Sequence, residues 1–243
     1  THPDELPRPS DPPPRPARKV CIMTGGGDAP GLNAVLRGFV RRAEQLGVEV
    51  WGSENGFEGL IESGHHGLRP LTGSRVRGIL PRGGSILGCS SRSNPFAYPV
   101  RGRGKETRDA SQDVLARLRE HEFDGLVLVG GDGTMYYARC FESLGVACLG
   151  IPKTIDNDLH ATDMTFGFET AVNTATWAID ALHTTAEAHE RVMILEVMGR
   201  YAGWIALYAG IAGGADVILL PELPYDVDRV VAKIHERTQQ DTH

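Results

Sequence analysis

Asp156 and Asp158 stand two residues apart in the segment Pro152-Lys153-Thr154-Ile155-Asp156-Asn157-Asp158, directly after an apolar run that ends at Ile151. Moving a phosphoryl group onto an alcohol requires a base beside the attacking hydroxyl and positive charge around the transferred group. Asp156 could act as that base, and Asp158 could tune it or help to place a metal. Lys153 and Thr154 could touch the transferred phosphoryl. The competing reading is a plain polar turn, since Asp and Asn favour turns. A third carboxylate, Asp132, is bracketed by glycine in Gly130-Gly131-Asp132-Gly133-Thr134. Small neighbours leave room for a metal-bound phosphate to reach it, and magnesium prefers one or two carboxylates completed by phosphate oxygens and water. Here the competing reading is a helix cap.

Gly25-Gly26-Gly27-Asp28-Ala29-Pro30-Gly31 follows a short apolar run, Val20 to Met23. Glycines let a backbone approach a phosphate and turn its N–H groups inward, and a following helix N-terminus adds favourable potential. An ordinary strand-to-helix turn would use the same residues, and Asp28 suggests a nearby cation or a cap. Arg82 lies in Arg82-Gly83-Gly84-Ser85, Arg191 opens a later apolar run, and Arg200 follows Met198-Gly199. Arginine matches phosphate oxygens bidentately, although a single arginine also suits a solvated surface. His65, His66, His121, His183, His189 and Met193 show no spacing of this kind and read as surface or packing residues.

These residues need a scaffold, and the hydrophobic periodicity supplies one. Apolar runs at Val20–Met23, Val48–Gly52, Asp124–Val129, Val146–Ile151, Arg191–Val197 and Asp216–Leu220 read as strands. Helical spacing predicts helices over Pro30–Leu46, Lys105–His121, Gly133–Leu144, Glu169–Ala188, Gly203–Ile211 and Val227–Arg237. Alternation of this kind implies an α/β fold: parallel sheets in αβα layers, with right-handed crossovers. Ligands then bind beyond the carboxyl ends of the strands, where the glycine and acidic clusters fall.

Composition narrows the function classes. The 243 residues carry 25 basic and 31 acidic side chains, a net charge of −6, and an apolar share of 41%. That balance argues against a nucleic-acid surface. Four scattered cysteines, Cys21, Cys89, Cys140 and Cys148, lack metal-ligand spacing and suit reduced thiols in a cytoplasmic protein. No apolar run approaches the ~20 residues of a membrane helix, and no signal-peptide core precedes the first strand. Residues 1–18 hold seven prolines and are expected to form a flexible tail.

Taken together, the chain resembles the phosphofructokinase family. The likeness rests on Thr24 to Asn33, Arg82-Gly83-Gly84, Gly130 to Thr134, Pro152 to Asp158 and Glu196-Val197-Met198-Gly199-Arg200, in the family's order. His183 to Glu222 resembles the actinobacterial-type branch, which contains ATP-using and pyrophosphate-using members. The resemblance implies two Rossmann-like domains, a phosphoryl-donor domain over 19–167 and a sugar-phosphate domain over 168–243 that is incomplete here. The family's remaining part would supply a glutamate, a histidine and further arginines.

The resemblance also implies roles. Asp156 would activate the 1-hydroxyl of fructose 6-phosphate, and Asp132 would position magnesium. Gly27, Arg82, Gly131, Gly133, Thr134 and Lys153 would line the donor site. Thr154, Asp158, Met198 and Gly199 would contact the sugar phosphate or the transferred group. Arg191 would reach the 6-phosphate across a subunit interface of a homodimer or homotetramer, and Arg200 would offset charge in the transition state. Arg37, Arg41 and Glu222 match an effector site of some members. Glycine at 133 is the ATP-type residue, while lysine at 153 is found in pyrophosphate users and some ATP users. ATP is therefore the expected donor and pyrophosphate the alternative. NAD kinases and diacylglycerol kinases also carry Gly-Gly-Asp-Gly-Thr, but the segments around Asp156 and Met198 argue against both. A binding paralogue without turnover is the reading from a different class.

Overall fold

The structure is a computed structural model that describes residues 17–62, 67–100, 102 and 104–239. The expected proline-rich tail, up to residue 16, and His65 and His66 lie outside the described residues. In chain order the elements are β1 (Lys19–Thr24), α1 (Leu32–Gln45), β2 (Glu49–Ser53), α2 (Glu58–Ile61), β3 (Leu68–Leu71), β4 (Tyr98–Pro99), β5 (Thr107–Arg108), α3 (Ser111–Glu120), β6 (Gly125–Gly130), α4 (Asp132–Ser143), β7 (Cys148–Thr154), β8 (Phe166–Gly167), α5 (Phe168–His189), α6 (Trp204–Ala212) and α7 (Val227–Gln239).

One six-stranded sheet, in the order β3-β2-β1-β6-β7-β8, organises the molecule. All its pairings are parallel except β2 with β3, so the antiparallel strand sits at one edge. β4 and β5 form a separate antiparallel pair. The chain leaves β1 toward β2 and later returns to β1's other side as β6. That reversal is a switch point between β1 and β6, and in open α/β sheets ligands bind beyond the strands' carboxyl ends at such points.

Period-two alternation explains how β1 and β6 bury both faces. Cys21 and Met23 of β1, with Leu126 and Leu128 of β6, pack against Phe57, Leu60, Val114, Leu118 and Phe141. Val20 and Ile22, with Val127 and Val129, pack against Leu32, Leu36 and Val40 of α1 and against Val76, Ile79 and Leu87. Helices α3 and α4 therefore cover one face, and α1 with the 72–88 segment covers the other. A third, smaller core joins α5 to α6 through Phe168, Ala175, Ile205 and Ala209, with Ile155 and Val197 against it.

Several expected elements differ. The helix expected from Lys105 starts at Ser111, because residues 107–108 pair with β4 and Asp109 Oδ1 accepts the Ser111 N–H at 2.8 Å, turning the chain into α3. Arg191–Val197 and Asp216–Leu220 are not strands. A strand exists only through ladder bonds to a neighbour, and neither segment has a ladder partner among the described residues. In the first segment Val192, Ile194 and Leu195 are correspondingly open, with Ile194 89% exposed. Pro30 precedes α1 rather than beginning it: Gly31 adopts a left-handed φ of 91° and delays the helix to Leu32. Among the described residues no helix is long and apolar enough to cross a membrane.

Candidate active site

Because β1, β6 and β7 are adjacent and parallel, their carboxyl ends deliver three loops side by side: 25–31, 131–132 and 155–164. The first loop is stitched to its neighbours by backbone. Gly25 N–H donates to the Val129 carbonyl at 2.8 Å and Gly26 N–H to the Ser90 carbonyl at 3.2 Å. Gly26 takes a φ of 75°, which a glycine adopts without strain. Beyond it the loop opens: a side-chain carbon added at Gly27 would meet nothing within 4 Å.

The second loop is different at each residue. Gly131 precedes α4, and Asp132 begins the helix with its side chain exposed. A carbon added at Gly133 would again meet nothing within 4 Å, so this helix N-terminus faces free space. Thr134 instead turns inward. It is 5% exposed, and its hydroxyl lies where a carbon on Gly25 or Gly130 would stand, 2.6 and 2.3 Å away. Thr134 thus packs the base of the two glycine loops together, and its N–H donates to the Gly131 carbonyl at 3.0 Å.

The third loop holds the sharpest chemistry. Lys153 is only 4% exposed, yet its Nζ donates to the Gly27 carbonyl at 2.6 Å, tying the end of β7 to the first glycine loop. Burial pulls its ammonium below the usual lysine range, while Cys89 and Asp28 partly restore it. Thr154 Oγ1 accepts the Asp156 N–H at 3.1 Å. Asp156 Oδ1 is buried and has no hydrogen-bond partner among the described residues. Burial, and then the charge of Asp158, raise the Asp156 carboxyl above the ordinary carboxylate range. A buried acceptor without a donor is costly, and strongly perturbed carboxyls concentrate at functional sites, although buried structural groups are shifted in the same way. Asp158 itself is exposed.

Replacing Lys153 with Met removes the bond to the Gly27 carbonyl while keeping the buried stem. Charged hydrogen bonds are worth about 1.5–3 kcal/mol, so Lys153→Met is expected to lower stability by up to about that much, offset in part because a buried ammonium is removed. Denaturant unfolding checks this.

Arg82 is exposed at the head of its loop, and residues unassigned at the sequence level hold that loop in place. Asn33, 2% exposed, donates from Nδ2 to the Arg82 and Gly83 carbonyls at 3.0 and 3.1 Å and accepts the Ile86 N–H at 2.8 Å. Thr24 Oγ1 contacts Ser85 Oγ at 2.9 Å and the Gly88 carbonyl at 2.6 Å. The signal for Asn33 was available: it shares the buried stripe of α1 with Leu36 and Val40, at helical spacing, where a polar residue must find partners.

Arg191, Met198 and Arg200 are all exposed, and no hydrogen bond or ion pair joins either arginine to Asp156 or Asp158. Arg191 N–H caps α5 at the Ala186 carbonyl, 3.1 Å, and the Arg200 guanidinium lies 5.3 Å from the Tyr201 ring centroid. Gly199 is buried with a φ of 144°. What connects the two regions is the small core, where Ile155 and Val197 pack on the same group of side chains. Glu222 Oε1 accepts the Gly203 N–H at 2.7 Å, at the start of α6.

The donor set fits magnesium of one particular kind. Among the described residues no group of three or more His, Cys, Asp or Glu could hold a metal. A single exposed carboxylate, Asp132, beside open space at Gly133 and Gly27 suits an ion that arrives with phosphate oxygens and waters rather than one caged by protein.

Comparison with known proteins identifies the family. The family described as phosphofructokinase matches residues 19–243. An ATP-dependent 6-phosphofructokinase 2 from Clostridium perfringens is 52% identical over 228 residues, covering 93% of this chain and 62% of that protein. A pyrophosphate–fructose 6-phosphate 1-phosphotransferase from Streptomyces coelicolor is 49% identical over 221 residues, covering 90% and 61%. The chain thus spans about three-fifths of the length of these relatives. The solved phosphofructokinase of Saccharomyces cerevisiae superposes with a TM-score of 0.79 at 32% identity, over 92% of this chain and 32% of that one. With three strand-end loops side by side at the switch point, and a family match that runs through all of them, the chain belongs to the phosphofructokinase family.

Proposed function

We propose that this chain carries the donor site and the catalytic base of a magnesium-dependent 6-phosphofructokinase, which moves a phosphoryl group from ATP to the 1-hydroxyl of fructose 6-phosphate. The observation that carries the reading is Asp156: a partly enclosed carboxyl at a strand end, raised above its usual range, with one oxygen lacking a donor. A sugar hydroxyl offered to that oxygen would both satisfy it and lose its proton to it. Thr154 holds the Asp156 backbone, Lys153 holds the glycine loop, and the helix N-terminus at Asp132–Gly133 faces the donor phosphates. Magnesium at Asp132 would neutralise charge on the donor phosphates. Arg82, Arg191 and Arg200 supply cations to phosphate groups, Arg191 from across the interface of a homodimer or homotetramer. Residues 19–167 form the donor domain and 168–243 part of the sugar-phosphate domain, and the enzyme works in the cytoplasm.

The free space at Gly133 favours ATP, because an acidic side chain there would occupy room the nucleotide needs. Lys153 favours pyrophosphate as a second reading, and a relative named for pyrophosphate stands beside one named for ATP. Phosphorylation of fructose 6-phosphate with magnesium, run with ATP and pyrophosphate in parallel, tests the proposal. Turnover with ATP supports it, turnover with pyrophosphate alone reverses the donor, and binding without turnover points to a paralogue that only senses its ligands. Gly133→Asp is expected to lower kcat/KM for ATP at least about tenfold relative to pyrophosphate, since one blocked contact is worth about 1.4 kcal/mol or more.

A further inference from the structure

Asp156 is the working group of the proposed reaction, yet it sits in a loop rather than on a helix or strand, so something must hold it still. The chain leaves β7 at Thr154 and soon returns to pair with the end of that same strand: Lys153 stands opposite Phe166 and Thr154 opposite Gly167. Parallel neighbours normally need a crossover of a dozen or more residues, usually helical. Here residues 155–165 make the return without a helix.

Two side chains close that excursion. Thr165 is 2% exposed, and its hydroxyl donates to the Thr154 carbonyl at 2.7 Å. Thr165 N–H donates to Asn157 Oδ1 at 2.9 Å, and Asn157 Nδ2 donates to the Asp163 carbonyl at 3.3 Å. Asn157 has a left-handed φ of 53°, a conformation few side chains favour. Asp156 therefore lies between a residue tied at its carbonyl, Thr154, and a residue tied at its side chain, Asn157. Both ties end on Thr165. Nothing in the proposed chemistry uses Thr165 or Asn157 directly, and neither was assigned a role from the sequence.

We infer that Thr165 and Asn157 form a latch that positions Asp156 for proton abstraction: positioning residues that set where the base stands, not where the donor binds. This rests on the reading of Asp156 as the base. The latch acts through hydrogen bonds, so a hydroxyl at 165 is required and its methyl is not. Its hydrogen bonds all fall within residues 154–165, so the donor loops at 25–31 and 131–132 are expected to keep their geometry without it.

The test uses the full 243-residue chain as wild type, Thr165→Val, Thr165→Ser and Asn157→Gly. Valine keeps the shape and removes the hydroxyl, serine keeps the hydroxyl, and glycine keeps the left-handed backbone while removing the side-chain bonds. Misplacing a reacting group by about 1 Å costs on the order of 10²-fold. Thr165→Val and Asn157→Gly are therefore expected to lower kcat at least about tenfold, with donor KM within about twofold of wild type, and Thr165→Ser to recover most of the loss. In parallel, amide hydrogen exchange reads local opening without turnover. The Asp156 amide is expected to exchange roughly tenfold faster in the valine and glycine variants and near the wild-type rate in the serine variant.

Each other outcome is decisive. A wild-type kcat in either hydrogen-bond variant overturns the latch. So does a serine variant as poor as the valine one, since that would make the contact one of packing. A rise in donor KM equal to the fall in kcat overturns the restriction to the base. If the wild-type chain turns over with neither donor, the kinase reading fails, and the latch stands or falls on the exchange rates alone. If Thr165→Val does not fold, Asn157→Gly decides between the same outcomes.

Discussion

Asp156→Asn is expected to lower kcat by about 10²–10⁴-fold, the usual worth of a positioned general base, while the KM for the phosphoryl donor changes little. Steady-state kinetics in both substrates check it, and a loss below about tenfold would remove Asp156 from the base role. The pH dependence follows from the same carboxyl. Its folded-state pKa is raised, first by burial and then by the like charge of Asp158. With Asp156 as the proposed base, the carboxylate is the active form, so activity is expected to fall as pH drops through a midpoint above the ordinary ~4 of an aspartate. Asp158→Asn removes the like charge and is expected to move that acid limb to lower pH, whatever else it does to turnover.

The stability sign runs opposite to that of a salt-bridged aspartate. A raised folded pKa means that the folded chain holds the Asp156 proton more tightly than the unfolded chain does. The favourable contribution is complete below the unfolded pKa of ~4 and is lost as pH rises through the folded value. At pH 7 the carboxylate is a liability to the fold. Asp156→Asn is therefore expected to melt at a higher temperature than wild type while being nearly inactive, and calorimetry at pH 7 checks this. Such opposition between stability and activity marks a group kept for its chemistry.

The second large effect lies beneath the glycine loops. A carbon added at Gly25 would stand 2.6 Å from Thr134 Oγ1 and 3.2 Å from its Cγ2, and 3.0 Å from Met23 Cε. The methionine end can move. The threonine cannot move easily, because it is buried in the first turn of α4, and Gly25 is tied by its N–H to Val129. Overpacking of this kind costs about 1–3 kcal/mol, so Gly25→Ala is expected to lose that much in denaturant unfolding. Thr134→Ala removes both offending atoms. The double variant is expected to be more stable than the sum of the single changes predicts, by about 1 kcal/mol or more. Additive losses would mean that the two residues do not meet.

How far the sequence could be read depends on what each residue answers to. The strands at β1 and β6 were legible because alternation with burial on both faces is a local signal. Asp132 and Asp156 were legible as polar residues at strand ends, because each stands just after an apolar run, at Gly125–Gly130 and Cys148–Thr154. Thr134 reads as a donor residue from its place in Gly-Gly-Asp-Gly-Thr, whereas the structure places its hydroxyl against Gly25 and Gly130; which way a first-turn side chain faces depends on a loop more than a hundred residues earlier. Thr165 was silent for a related reason, since it matters through bonds that form only when the loop after β7 returns to pair with that strand. Arg191–Val197 and Asp216–Leu220 have strand composition, but composition cannot supply the neighbour that a ladder requires. The delay of α1 to Leu32 reflects a single left-handed glycine.

The order of the strands also has a bearing on how the molecule is made. β1 emerges first, yet on its β6 side it pairs with residues 125–129, and the Lys153–Gly27 bond closes a separation of 126 residues. At ~5–20 residues per second of synthesis, the glycine loop leaves the ribosome roughly ten seconds before the lysine that holds it. During that interval one edge of β1, apolar on both faces, has no partner of its own. Non-local pairing of this kind slows folding and leaves edges open to other chains. The tie between the first glycine loop and β7 thus cannot form until residue 153 is made, and the β6 side of β1 stays open to mispairing until residues 125–129 are made.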